Sequence, residues 1–192
     1  MPPSGLPRWV DVAASVTGLV LLSPVLVAAA VVIKIDSPGP VLFTQERVGR
    51  DGRIFELVKL RTFYVNSRPD PVWAPLESHD SRITRVGNWL RRTSVDEIPN
   101  LWNVLRGHMA LVGPRPTIPA QVAEYTLFQL RRLEVRPGIT GLAQVTGRAA
   151  LDWPERIRID VEYVERRSWA MDLWILGRTI GQVVSQRGVD EA

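Results

Sequence analysis

Cysteine is absent from this chain of 192 residues, and histidine occurs only at His79 and His108. Disulfides and thiolate metal sites are thereby excluded, a histidine-based zinc site is disfavoured, and the redox compartment is left open. Lysine is scarce too: of 24 basic residues only Lys34 and Lys59 are lysines, so the net charge of +4 rests on arginine. The planar guanidinium fork suits phosphate oxygens in lipid headgroups, nucleotides or nucleic acid, although a mixed, solvated surface would have the same composition. Charge is missing altogether from the 22 residues Val12 to Ile33, which carry Ser23-Pro24 at their middle.

About 20 apolar residues cross a bilayer core as a helix, so length permits a span. A mid-helix proline removes one backbone hydrogen bond and kinks the axis, at about 3 kcal/mol. The Ser23 hydroxyl can satisfy a carbonyl freed there. Arg8 precedes the run and Lys34 follows it, so the basic residues define no inside and outside. These features favour a re-entrant membrane helix-break-helix in residues 1–36, with 37–192 as one compact domain at the cytoplasmic surface. A straight single span with a tolerated proline is the alternative. A cleaved signal peptide fits less well, because the run exceeds the usual ~7–15 apolar residues.

The remainder reads as α+β, mainly helical. Asp36-Ser37-Pro38-Gly39-Pro40 is turn chemistry, Val41 to Gln45 and Ile54 to Val58 read as strands of a small hairpin, and Gly49 to Gly52 as its turn. Asn66 to Asp80 reads as a long loop. Arg82 to Arg92 has helical spacing, and a second helix is expected from Ser94, where Ser94-Val95-Asp96-Glu97 fits a capping box, to Gly107. Pro119 to Leu133 is helical in composition, Leu142 to Val145 reads as a strand, and Trp153 to Arg166 and Asp172 to Ser185 as helices. Trp169 and Trp174, with Leu173, Leu176, Ile180 and Val184, form either an interfacial amphipathic face or an ordinary core face.

Asp96-Glu97 is the best catalytic candidate. Acids at a helix start meet unpaired N–H groups and the positive end of the dipole, which would lower the pKa of Asp96 and keep it ionised. An ionised aspartate serves as a nucleophile toward phosphorus or as a ligand for magnesium. Taken alone, the pair also reads as the capping partner of Ser94 plus a first-turn acid. Pro99 is awkward in either case, because it lacks an N–H where the helical ladder should begin. Gly113-Pro114-Arg115-Pro116 and Gly147-Arg148 combine close backbone approach with a guanidinium, as phosphate sites do, and Lys59 and Arg61 either add to such a basic pocket or blunt a sheet edge.

In order along the chain, these segments resemble the bacterial sugar transferase family, the monotopic phosphoglycosyl transferases. The resemblance rests on Arg8-x-x-Asp11, Ser23-Pro24, Gly39 to Gln45 with Glu46-Arg47-x-Gly49, Lys59-Leu60-Arg61-Thr62, and Arg82 to Gly87. It continues through Ser94 to Gly107, Val112 to Pro116, Arg136 to Val145, and Asp160-x-x-Tyr163-Val164. Nearly the whole chain is covered, in what looks like the family's minimal catalytic form.

The resemblance implies transfer of a sugar 1-phosphate from a UDP-sugar to polyprenol (undecaprenyl) phosphate at the cytoplasmic face of the bacterial inner membrane. UMP would be released through a covalent aspartyl-phosphosugar intermediate, initiating assembly of a glycoconjugate. Asp96 would be the nucleophile and Glu97 a second catalytic residue. Both would be ligands for Mg2+, with Arg115, Arg148, Lys59 and Arg61 on substrate phosphates and Asp172, in Ser168-x-x-x-Asp172, a weaker candidate. The family commonly has Gly-Arg-Asn where Gly147-Arg148-Ala149 stands here, methionine at Phe63, and Asp-Pro-Arg at Asp80-Ser81-Arg82. The first departure adjoins a proposed phosphate contact and bears on substrate recognition.

Two rivals predict differently. A catalytically silent, membrane-tethered scaffold of the same fold would tolerate Asp96→Asn. A nucleic-acid binder would show steep salt dependence, and the spread of the arginines among carboxylates and glycine loops argues against it. A homo-oligomer is compatible with the sequence, which also leaves the sugar unspecified.

Overall fold

The uncharged run forms the middle of one long helix, α1 (Arg8–Asp36), in the computed structural model, which describes residues 4–65, 67, 80–147 and 151–185. The helix is long and apolar enough to cross a membrane by length and composition. The helical run continues through Pro24 without interruption, so the break expected at Ser23-Pro24 is not an end of helix. Its chemistry is nonetheless visible. Proline lacks the N–H that would bond the carbonyl four residues back, that of Val20, and the Ser23 hydroxyl donates to that same carbonyl at 2.8 Å.

Both ends of α1 are tied to the rest of the chain. Near its start, the Arg8 guanidinium donates to the carbonyls of Val104 and, at 3.2 Å, Leu105, while Leu111 N donates to the Asp11 carboxylate at 3.1 Å. Near its end, Ala29 and Ile33 are buried in a cluster with Leu60 and Leu90. Between these anchors Val20, Leu21, Val25 and Val27 are exposed, Leu21 at 70%.

The hairpin forms as the alternation predicts: β1 (Leu42–Val48) pairs antiparallel with β2 (Ile54–Leu60), with Leu42 opposite Leu60 and Val48 opposite Ile54. A 3-10 turn at Arg50–Gly52 closes it. The following helix, α2 (Arg85–Arg92), begins at Thr84, whose side chain accepts from Gly87 N. Gly87 packs on the backbone of Thr62, where a Cβ would stand 2.1 Å from the carbonyl oxygen, so no larger residue fits. Most of the loop expected at 66–80 lies outside the described residues.

Three expectations are corrected. The capping box at Ser94 does not form: Ser94 has φ 56°, its side chain caps nothing, and Val95–Glu97 is a 3-10 turn. The helix proper, α3 (Asn100–Leu105), starts only after Pro99, the residue that cannot continue a ladder, and ends before Gly107 at φ 81°. Leu142 to Val145 is not a strand. The sheet role is taken by β3 (Ala110–Val112) and β4 (Gly138–Thr140), a short parallel pair, after which α6 (Leu142–Thr146) begins directly at Gly141. The helical stretch after Pro119 is divided into α4 (Pro119–Val122) and α5 (Leu127–Leu130), because Thr126 and Gln129 form a capping box that starts helix afresh.

Helix α7 (Trp153–Arg166) matches its expected bounds, capped by the Asp152 side chain on Glu155 N at 2.9 Å. The terminal α8 (Trp169–Ser185) packs one face on the core, with Ile175 buried in the cluster of Val112, Val145 and Tyr163 and Leu176 against it, whereas Trp169, Leu173, Trp174 and Ile180 are exposed.

Candidate active site

Asp96 sits in the 3-10 turn that connects α2 to α3. Val95 anchors this turn against the cluster that α1 and β2 share, and buried Asn100 and Asn103 follow on α3. Entry requires Ser94 in the left-handed region, which a non-glycine residue occupies at a cost of about 1–2 kcal/mol. The turn leaves Asp96 only 7% exposed, and no hydrogen bond among the described residues reaches its carboxylate. Burial pushes that carboxyl up to about 6, the reverse of the lowering expected from a helix start, while Lys59 opposes the rise and Glu97 adds to it. The expected helix dipole is missing because the element is a single 3-10 turn.

Glu97 is the ordered member of the pair. Its Oε1 accepts from Lys59 Nζ at 2.6 Å and from the Arg115 guanidinium at 3.2 Å. Burial alone would raise this carboxyl, but the two cations hold it well below the usual range. Lys59 comes from the end of β2, and burial lowers its own pKa against the pull of Glu97.

Arg115 is placed by the proline-flanked loop, which is pinned on three sides. Gly113 N donates to Thr140 O and Gly138 N to Pro114 O, both at 2.9 Å. Gly113 lies so close to that strand that a Cβ would meet Arg136 O at 2.4 Å. Val48 N at the end of β1 donates to Thr117 O at 2.9 Å, and Arg132 donates to Arg115 O at 2.9 Å while its guanidinium pairs with buried Asp160.

Two further arginines complete the surroundings, and sequence reasoning did not single them out. Arg47, on β1, donates to Pro116 O and Gln45, keeps a buried Nε without a hydrogen-bond partner, and is pushed down to about 10 by burial and by Arg115. Arg91, at the end of α2, lies over the Phe63 ring and feels the charges of Asp96, Arg115 and Glu97. The signal that marks both is position: Arg47 lies near the end of the first strand of the hairpin that carries Lys59, and Arg91 near the end of the helix just before the acid pair.

Of the remaining candidates, Arg61 is turned elsewhere. It is buried, and its fork donates to Ser37 Oγ, Ser37 O and Pro40 O, so it fastens the turn after α1 and has no fork left for a phosphate. Asp172 accepts from Leu6 N at 2.7 Å and Tyr163 OH at 2.8 Å, tying α8 to the segment before α1. Arg148 lies outside the described residues.

Chemically, the site offers an unpartnered carboxylate, a second carboxylate held by cations, and guanidinium groups around both. Among the described residues no group of three or more metal-ligating side chains is assembled. Asp96 and the free Glu97 Oε2 nevertheless fit magnesium, which characteristically takes one or two carboxylates and completes its shell with substrate phosphates and water.

The profile of the bacterial sugar transferase family matches residues 4–186. A UDP-galactose-lipid carrier transferase of Erwinia amylovora is 40% identical over 198 residues, covering 95% of this chain and 41% of the relative. An undecaprenyl-phosphate glucose phosphotransferase of Komagataeibacter xylinus is 41% identical, over 94% of this chain and 36% of its own length. A UDP-glucose:undecaprenyl-phosphate glucose-1-phosphate transferase of Caulobacter vibrioides is 42% identical, over 93% and 69%. The chain thus spans less than half the length of the first two relatives.

Proposed function

The chain belongs to the bacterial sugar transferase family, and from that premise we propose that it transfers a sugar 1-phosphate from a UDP-sugar to undecaprenyl phosphate, releasing UMP. The observation that carries this reading is the buried, unpartnered Asp96 carboxylate beside Glu97, which Lys59 and Arg115 hold.

In the first step an Asp96 carboxylate oxygen attacks the sugar-linked phosphorus of the UDP-sugar. A bond from that oxygen to phosphorus forms, the bond from phosphorus to the bridging oxygen breaks, and UMP leaves with the electron pair. In the second, an oxygen of the lipid phosphate attacks the same phosphorus, the Asp96–phosphorus bond breaks, and the carboxylate is restored. Displacement at phosphorus depends on alignment and charge neutralisation. Arg115 supplies both at the diphosphate, with Lys59 fixing Glu97 so that its free oxygen keeps one direction. Magnesium held by Asp96 and Glu97 would neutralise diphosphate charge.

The two substrates occupy different phases, so the nucleophile belongs at headgroup depth. A helix tied to one domain at both ends, with exposed apolar residues between, supports a re-entrant α1 that dips into the cytoplasmic leaflet of the inner membrane and returns. The exposed tryptophans of α8 would then lie at the interface. The relatives' names are those of transferases, which gives the scaffold reading no support.

Intact-protein mass spectrometry after exposure to UDP-glucose or UDP-galactose, without lipid acceptor, tests the covalent step. The expected result is an adduct of one hexose phosphate that Asp96→Asn lacks. An adduct persisting in Asp96→Asn would refute the assignment.

A further inference from the structure

Outside this site, a polar cavity of about 90 Å3 lies beside the start of α1. Its wall includes four arginines, Arg8, Arg50, Arg136 and Arg167, against two carboxylates, Asp11 and Asp172. None of Lys59, Asp96, Glu97 or Arg115 lines it.

The two carboxylates are already engaged. Asp172 accepts from Leu6 N and Tyr163 OH, and Asp11 accepts from Leu111 N and pairs with Arg8 at 3.5 Å. Arg8 in turn donates to carbonyls at the end of α3. Arg136 is different. Its Nε donates to Gly107 O at 3.0 Å, and neither terminal amino group has a hydrogen-bond partner among the described residues. Among the described residues, Arg50 has only an exposed pairing with its neighbour Asp51 at 3.3 Å. After burial, the forces that most lower the Arg136 pKa are the charges of Arg8 and Arg50, so these guanidinium groups repel one another across the cavity. The start of α1 adds the positive end of a 29-residue helix, capped by Pro7 without a side-chain acceptor.

We infer that this cavity binds a phosphate-type anion, gripped by Arg136 and Arg50 at the head of α1. The fork geometry matches phosphate oxygens, and a bound dianion relieves the repulsion that the protein's own carboxylates leave. The same chemistry is presented by free phosphate and by an acidic phospholipid headgroup. Trp9, next to Arg8 and 71% exposed, lies on the helix assigned above to the bilayer, which suits the lipid source.

Hydrogen exchange of the full chain tests the site locally. In detergent, inorganic phosphate is compared with chloride at equal ionic strength, and in nanodiscs phosphatidylglycerol is compared with phosphatidylcholine. Peptides covering residues 4–12 and 134–141 are expected to exchange about fivefold more slowly with the anion, as occupancy at a few multiples of Kd would give. Arg50→Glu and Arg136→Gln should each remove that slowing while leaving the anion-free exchange of residues 91–97 unchanged. Slowing with inorganic phosphate alone identifies a soluble anion, and slowing in phosphatidylglycerol identifies the headgroup. No slowing in either arm, or slowing that survives both substitutions, overturns the inference. Arg50 is exposed and, among the described residues, paired only with Asp51, so Arg50→Glu keeps the fold and the test decisive. The outcome is independent of whether Asp96→Asn abolishes transfer.

Discussion

Lys59 Nζ meets Glu97 Oε1 at 2.6 Å, fastening the last strand of the hairpin to the residue beside the proposed nucleophile. Both side chains are about one-fifth exposed, at 17% and 20%. Lys59→Met therefore leaves a mostly buried carboxylate with Arg115 as its remaining cation. A fully buried pair broken on one side costs about 3–5 kcal/mol, and partial solvation reduces the expected loss here to about 2 kcal/mol. Urea unfolding of the two proteins measures it, and an unchanged midpoint would show the contact to be energetically idle. The substitution also lets the Glu97 carboxyl titrate at higher pH, readable by carbonyl infrared difference spectroscopy.

The acid pair predicts a pH profile. The nucleophile must be ionised, and burial raises Asp96 to about 6, so adduct formation in single turnover should fall by about tenfold per pH unit below that value. An inflection near an ordinary aspartate would contradict the assignment. Stability runs the other way. A carboxyl whose folded pKa exceeds its unfolded one favours the fold below the unfolded value and loses that favour as pH rises through the folded one. Asp96→Asn should thus be more stable than the native chain at about pH 7.5 and equal to it near pH 3.5, as compared by thermal unfolding.

Ser94 supplies a backbone test. At φ 56° it stands where glycine is at ease and β-branched residues are not. Ser94→Gly should keep both stability and adduct formation, whereas Ser94→Val should lose about 2 kcal/mol and slow the first step by displacing Asp96. Equal behaviour of the two variants in urea unfolding would mean that the turn readily adopts another conformation.

How much of this was written in the sequence follows from how local each signal is. The hairpin was legible because alternation and a glycine turn lie within one short stretch, and α7 because a capping Asp152 and a regular apolar stripe coincide. Leu142 to Val145 reads as a strand wrongly because four residues, three of them apolar, are too few to show a distinguishing period, and the true strands, three residues each, pair across 28 positions. The acid pair was visible, but its charge state was not: that depends on Lys59 from β2, Arg91 from α2 and on burial, none of which a local spacing encodes. Arg61 looked like Lys59's companion. Two positions apart, they would share a face if the strand continued, but β2 ends at Leu60, so Lys59 reaches Glu97 from the strand while Arg61, just beyond it, turns to Ser37 and Pro40.

Arg132 and Asp160 connect stability to substrate affinity. Both are buried, at 3% and 3% exposure, and Arg132 also holds the carbonyl of Arg115. Asp160→Asn leaves a buried guanidinium without its counter-charge and should cost about 3 kcal/mol in urea unfolding. Where folded protein persists, the weakened anchor for Arg115 should raise the UDP-sugar KM more than it lowers kcat, because Asp96 and Glu97 lie in a separate turn. A selective loss of kcat would place Arg132 closer to the reacting phosphorus than proposed.

The Ser23–Val20 contact gives the membrane prediction. Pro24 deprives the Val20 carbonyl of its helical donor and the Ser23 hydroxyl replaces it, which would satisfy that carbonyl in a bilayer interior as well. A re-entrant α1 would owe its bend to this proline, so under the proposed geometry Pro24→Ala should favour a straight helix, and 29 residues are long enough to span. Because the chain has no cysteine, Ser4→Cys is a unique reporter of where the start of α1 lies. In intact cells a membrane-impermeant maleimide should leave Ser4→Cys unlabelled in the otherwise native chain and label it once Pro24→Ala is added. Straightening also pulls Arg8 and Asp11 away from α3 and Leu111, so the second variant should unfold at lower temperature. Labelling of the native-helix reporter from outside would establish a full span and remove the re-entrant geometry from the mechanism.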